Sequence, residues 1–195
     1  MHSNETPPIV RAADLRTERW RNGGGTTREI ARGPKGAGAD DWGWRISLAD
    51  VDKAGPFSVF PGTERILTVV EGELLVLTVG GREQGLERHR PFRFDGGVPT
   101  SATLPTGGIR DLNVITSAGF RAHVAIVELS KKRPHPVFGG QHAVLLQGSA
   151  TAGGGVALER YDAVVGSGER TPEVSGRGIL AVVSIDAVAG ETAAP

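Results

Sequence analysis

Apolar and polar residues alternate with a period of two along much of this chain, in short runs set off by glycine and proline. That period belongs to strands with one face turned to a core. In Trp44–Ala49, Trp44, Ile46 and Leu48 share one face, while Arg45, Ser47 and Ala49 share the other. In Asp111–Thr116, Asp111 and Asn113 oppose Leu112 and Val114. In TTREIA, Thr27, Glu29 and Ala31 fall on one side, and Thr26, Arg28 and Ile30 on the other. Arg65–Val70 (RILTVV) and Glu73–Val79 (ELLVLTV) read as two strands joined tightly at Glu71-Gly72, and Pro61-Gly62 suits a type II turn. Turn signals recur at roughly 8–12-residue intervals, the spacing of a β-sandwich or barrel.

The second half keeps the same grammar with less polar content. Ala122–Leu129, Ala143–Gln147 with a turn at Gly148, Val156–Tyr161, Asp162–Val165 and Ile179–Ile185 read as strands, the last one after a break at Gly176–Gly178. Ile9–Arg11 suits an edge strand and Ala12–Arg16 a single helical turn. Met1–Pro8 is expected to be a frayed leader and Gly190–Pro195 a disordered tail. The chain therefore divides into an N-terminal barrel, 9–119, and a degenerate C-terminal barrel, 120–190, packed as one compact unit.

Composition narrows the functional classes. Gly accounts for 29 of 195 residues without a fixed period, as expected of many short strands with many turns. Cysteine is absent, which removes thiol chemistry, thiolate metal sites and disulfides. Lys+Arg and Asp+Glu are both 22, so the chain lacks the positive excess that nucleic acid would need. No apolar run approaches the ~20 residues of a membrane-spanning helix. MHSNETPPIV has no basic stretch leading into an apolar one, so no signal peptide is expected and a cytoplasmic location is.

Among the five histidines no two stand two or four apart, so none forms a strand or helix ligand pair, and neither a metal nor another cofactor is expected. His89, in the charged run Arg82–Arg90, reads as solvated, and His123 as a core histidine on an apolar strand. No nucleophile elbow, P-loop or dinucleotide fingerprint is present.

What remains is a set of arginine, asparagine and serine side chains on strands. In a barrel with a hollow interior the polar stripe can face inward. Arg45 and Arg65 then offer planar forks that match a carboxylate, with Ser47 and Asn113 beside them for amide-like groups. Trp20 and Trp44 suit either an apolar wall or the core. Glu29, Asp95 and Asp111 are candidate acid/base groups or partners that orient the arginines. Gly23–Gly25 allow positive φ and close approach to another element, and suit a bulge, a flexible loop or a ligand-facing backbone.

WRNGGGTTREIA at Trp20–Ala31, WGWRISLADV at Trp42–Val51, GPFSVFPGTERILTVVEGELLVL at Gly55–Leu77 and PFRFDGGVPTSATLPTGGIRDLN at Pro91–Asn113 resemble, in this order, the HutD/Ves family. The resemblance implies an all-β bicupin: two cupin-like double-stranded β-helix (jelly-roll) barrels in one chain, without the usual metal ligands. It also implies an association with bacterial histidine utilisation in a regulatory or sensing role. The ligand would be a small carboxylate such as formyl- or formimino-glutamate. Arg45, Arg65, Asn113 and Glu29 lie inside the matching motifs and are carried over as pocket residues; Ser47, Asp111, Trp20 and Asn22 complete the candidate set. Two other readings stay open: an isomerase or hydrolase using Glu29 or Asp111, and a protein–protein module forming a homodimer through an edge strand.

Overall fold

The computed structural model describes residues 8–188, so the expected leader (apart from Pro8) and tail lie outside the described residues. The strands run, in chain order, β1 (Ile9–Val10), β2 (Thr17–Arg19), β3 (Gly25–Gly33), β4 (Trp44–Val51), β5 (Gly55–Pro56), β6 (Thr63–Glu71), β7 (Leu74–Val79), β8 (Arg82–Glu87) and β9 (Phe92–Asp95). They continue with β10 (Thr100–Thr103), β11 (Ile109–Ser117), β12 (Phe120–Glu128), β13 (His135–Pro136), β14 (Gln141–Ala152), β15 (Val156–Leu158), β16 (Ala163–Val165) and β17 (Glu173–Ala187). The helical turn shrinks to a 3-10 turn at Ala12–Asp14. The described chain is therefore all-β. It forms two compact units, neither continuous in sequence: 16–122 with 185–188, and 8–15 with 123–184.

The larger unit holds two antiparallel sheets. One has six strands in the order β2-β3-β4-β11-β6-β9, the other four in the order β5-β10-β7-β8. Among the described residues neither order closes into a ring. Cross-strand register fixes which side chains share a face of the six-stranded sheet. Ala49 pairs with Asp111 and Asp111 with Val69; Ser47 with Asn113 and Asn113 with Leu67; Arg45 with Ile115 and Ile115 with Arg65. One end of this face is apolar. There Val51, Leu67, Val69 and Ile109 pack with Leu75, Leu77, Leu86 and Ala102 from the four-stranded sheet. Its other end carries the polar groups.

Two departures from simple alternation shape β3. A bulge between Glu29 and Ala31 inserts Ile30, so Ala31 pairs with Ile46 and leaves the face it was expected to share with Glu29. Past the bulge, Arg32 rejoins the Glu29 face opposite Arg45. The glycine triplet is architectural. A Cβ on Gly25 would stand 2.1 Å from the Asp50 carbonyl oxygen. The Gly24 carbonyl accepts the amides of Asp52 and Lys53.

The other unit is built on a seven-stranded sheet whose main order is β1-β16-β14-β17-β12, with β13 added to β17 and β15 to β14. The expected turn at Gly148 does not occur. β14 runs on to Ala152, paired throughout with β17, and absorbs Gly148 at φ +92° beside a register shift after Leu145. Gly176–Gly178 likewise lie within β17 and do not break it. A Cβ at Gly148 would stand 2.1 Å from the Arg177 carbonyl oxygen, so glycine here lets two backbones pass closely. Asp162 is 1% exposed and fully used: it accepts from Arg11 Nη1 at 2.6 Å and from the amides of Ala12 and Glu159, which ties the N-terminal segment to this sheet.

Leu77, with no exposed surface in the apolar cluster, is the test of this packing. Leu77→Ala is expected to cost about 2–5 kcal/mol, read from urea unfolding. A loss below ~1 kcal/mol would mean that the two sheets do not pack on it.

Candidate functional site

Where the shared face of the six-stranded sheet turns polar it opens into a cavity of about 530 Å³, within the range of small-molecule pockets. Arg45, Ser47 and Ala49 reach it from β4, Asp111, Asn113 and Ile115 from β11, and Arg65 from β6. Phe57, Ser58 and Phe60, on the segment before β6, line another side, and Arg19 to Asn22 with Thr27 a third.

Seven of the eight residues singled out from sequence line this one cavity: Trp20, Asn22, Arg45, Ser47, Arg65, Asp111 and Asn113. Glu29 does not. It stands behind Arg45, its Oε2 2.8 Å from Arg45 Nε and its Oε1 3.1 Å from Arg32 Nε. The contact with Arg45 is an ion pair out of line for a hydrogen bond. Asn22 lines the cavity with its polar atoms already committed, Nδ2 donating to the Pro56 carbonyl at 3.3 Å and Oδ1 accepting the Gly24 amide at 2.9 Å. Trp20 sets its ring edge against Phe57 and donates Nε1–H to Thr27 Oγ1 at 2.8 Å, so it is wall and strut together. Trp44 is not part of the lining; it lies over Gly33, where a Cβ would meet its ring at 2.2 Å.

Arg65 is the centre of the arrangement. It is 5% exposed, yet among the described residues no carboxylate lies within ion-pair distance. Its guanidinium sits 5.2–5.6 Å from the ring centroids of Phe57, Phe60 and Phe94, a cation–π cage drawn from two separate stretches. Nε and Nη2 both donate to Asn113 Oδ1, at 3.4 and 3.3 Å, and Nη1 donates to the Ser58 carbonyl at 3.2 Å. A guanidinium has five N–H groups; these three bonds leave one on each terminal nitrogen, the edge that fits a carboxylate. Burial lowers its pKa to about 10, opposed by Asp111, so it stays charged at neutral pH.

Asp111 is the cavity's acidic lining residue, against four arginines, Arg19, Arg21, Arg45 and Arg65. It is 1% exposed, flanked in register by Ala49 and Val69, and its Oδ1 has no hydrogen-bond partner among the described residues. Burial pushes its pKa up to about 7; Arg65 pulls the other way and Asp50 adds to the rise.

Sequence reasoning missed the phenylalanine cage and the rim arginines Arg19 and Arg21. Phe57, Phe60 and Phe94 stood in plain view in GPFSVFPG and PFRFDGG, but nothing local links them. The histidines also differ from expectation. His123 is exposed, because Ala122 and Val124 hold the inward positions of β12, and His89 is half-buried. Among the described residues no group of three His, Cys, Asp or Glu side chains converges on a point where a metal ion could sit. No helix there is long and apolar enough to cross a membrane.

Asp111 makes stability depend on pH. Its folded-state pKa lies above the 3.8 of an ordinary aspartate, so the folded protein holds this proton more tightly. That stabilisation is fully present below about pH 4 and is lost as pH rises through about 7. Asp111→Asn abolishes the titration. The variant's stability relative to the parent is expected to rise by roughly 2–3 kcal/mol between pH 5 and pH 8, measured by urea unfolding at both. An equal difference at the two pH values would contradict the burial argument.

A family model described as HutD matches residues 12–182. Over 108 residues the chain is 43% identical to the "Uncharacterized 21.2 kDa protein in hutC 3'region" of Pseudomonas putida, covering 55% of this chain and 56% of that protein. Over 99 residues it is 43% identical to "Protein Ves" of Citrobacter koseri, covering 50% and 51%. The chain thus spans about half the length of the curated relatives it matches. Among solved structures, HutD from Pseudomonas fluorescens superposes with a TM-score of 0.79 at 32% identity, over 94% of this chain and all of that one. A conserved protein of unknown function from Pseudomonas aeruginosa gives 0.81 at 30%, with the same coverage. A cupin 2 conserved barrel domain protein from Leptotrichia buccalis gives 0.60 at 9% identity, over 94% of this chain and 98% of that one, a likeness of fold alone. On the family match from residue 12 to residue 182, the chain belongs to the HutD family and has a cupin-like, all-β fold.

Proposed function

We propose that the cavity binds a small carboxylate metabolite without a metal, and that the protein reports or buffers that metabolite in a regulatory role. The observation that carries this reading is Arg65: a charged group removed from water, steadied by aromatic rings and neutral oxygens, with no anion among the described residues in contact. Buried charges are ordinarily paired. A ligand carboxylate on its two remaining N–H groups would complete the pairing, and Arg45, Arg19 and Arg21 suit a second acidic group nearer the mouth. Ser47 and Asn113 suit an amide or formyl oxygen between them. Formyl-glutamate has this chemistry, formimino-glutamate shares its two carboxylates, and both are acids that the resemblance to the HutD family implies. The same reading takes each of the two units as one cupin-type double-stranded β-helix, the larger holding the ligand.

Thermal shift against acids of histidine breakdown tests it. A ligand present at 100 times its dissociation constant adds about 2.7 kcal/mol, whereas the matching diamides, lacking charge, are expected to add nothing. Arg65→Lys keeps the charge but loses the fork and is expected to weaken binding tenfold or more, about 1.4 kcal/mol. Equal stabilisation by acids and diamides would refute the carboxylate reading.

A second reading, catalysis, has one observation behind it. Asp111 is a buried carboxyl on the cavity wall with a pKa raised to near neutrality, the kind of group used as a general acid or base. Glu29 suits that role less, since Arg32 and Arg45 engage both its oxygens. Under this reading the bound acid is converted on incubation with the protein and Asp111→Asn leaves it intact, as followed by proton NMR; an unchanged spectrum with the parent protein would dismiss it.

A further inference from the structure

Asp111 poses a problem for a cavity that takes anions. It lies in the wall with Oδ1 unpartnered, between Ala49 and Val69 in register, one inward position along β11 from Asn113. A second carboxylate placed beside an ionised Asp111, in a site with little water, would repel it strongly. A carboxylic acid at the same position has a hydrogen to give. We propose that Asp111 reads the bound acid in its protonated form, donating a hydrogen bond to a ligand oxygen, so that binding takes up a proton. The inference rests on the carboxylate-binding reading above and extends it from the arginines to the one acidic residue among the described residues of the lining.

The surrounding charges favour this outcome. Arg65 on β6 is what keeps Asp111 partly ionised in the empty cavity. A ligand carboxylate on Arg65 cancels that field and leaves burial to dominate. Asp50, on the opposite face of β4, pushes the same way, although Arg28 and Arg110 hold it at 3.4 and 2.5 Å. Glu29 on β3 is neutralised by Arg32 and Arg45. Arg19 and Arg21, at the end of β2 and just beyond it, line the cavity as well and are the positive charges left for the ligand. The pKa of about 7 means that Asp111 is largely ionised at pH 8 and largely protonated at pH 6 when the cavity is empty.

Isothermal titration calorimetry of the whole chain with N-formyl-L-glutamate, in cationic buffers that do not compete for the arginines (Bis-Tris and imidazole at pH 6, Tris and triethanolamine at pH 8), measures proton uptake from the dependence of heat on the buffer's ionisation enthalpy. Uptake is expected to be near zero at pH 6 and about one proton at pH 8, with affinity falling about tenfold per pH unit above 7. Asp111→Asn keeps a donor at the position, so its binding is expected to be flat from pH 6 to 8.5 with no uptake. Binding at pH 8 with heat independent of buffer, or with proton release, overturns the inference and leaves the carboxylate reading standing. No binding at any pH overturns both. The measurement on the parent protein decides even if the variant does not fold.

Discussion

Taking a guanidinium out of water is among the costlier things a small β-protein can do, and this one does it at Arg65. The surroundings divide the work. Three aromatic rings supply quadrupoles, Asn113 and Ser58 supply neutral oxygens, and no carboxylate among the described residues closes the pair. The lengths of those hydrogen bonds, 3.2–3.4 Å, mark them as supports that hold the group in place. Asp111 is the counterpart: an acid in the same cavity whose charge state follows from burial and from Arg65. The chemistry proposed for the site comes from these two groups being close enough to feel each other and too far apart to neutralise each other.

The sheet makes this possible by using one face for two purposes. Along β4, β6 and β11 the inward positions change from Val51, Val69 and Ile109 at one end to Arg45, Arg65 and Asn113 at the other. The apolar end anchors the two sheets and gives the strands their rigidity. The polar end is thereby held on strands and not on loops, which suits a site that must keep several donors in fixed relation. The bulge at Ile30 belongs to the same design, because it brings Arg32 round to Glu29 and leaves Glu29 bracing Arg45 from behind.

Much of this was legible in the sequence, for a physical reason. Antiparallel strands with one face on a core alternate cleanly, so WRISLA, DLNVIT and RILTVV each announce which residues travel together. That was enough to group Arg45 with Ser47 and Asp111 with Asn113. The cage around Arg65 was hidden, because its rings come from residues 57, 60 and 94 and meet only through tertiary folding. Bulges were hidden as well: Ile30 and Leu146 each change what a simple period of two says about their neighbours. β2 has three exposed residues and no apolar alternation to betray it, and with it went the rim arginine Arg19. The glycine triplet left its role open, since close backbone approach, which Gly25 makes, and ligand contact leave the same mark in a sequence.

The most direct test of the account is a crystal structure of the chain with N-formyl-L-glutamate at saturating concentration. A carboxylate of the ligand should lie about 2.7–3.0 Å from both terminal nitrogens of Arg65, with the phenylalanine cage unmoved and another ligand oxygen at hydrogen-bond distance from Asp111. A cavity left without the ligand under those conditions, or a ligand bound elsewhere while Arg65 keeps its present contacts, would contradict it.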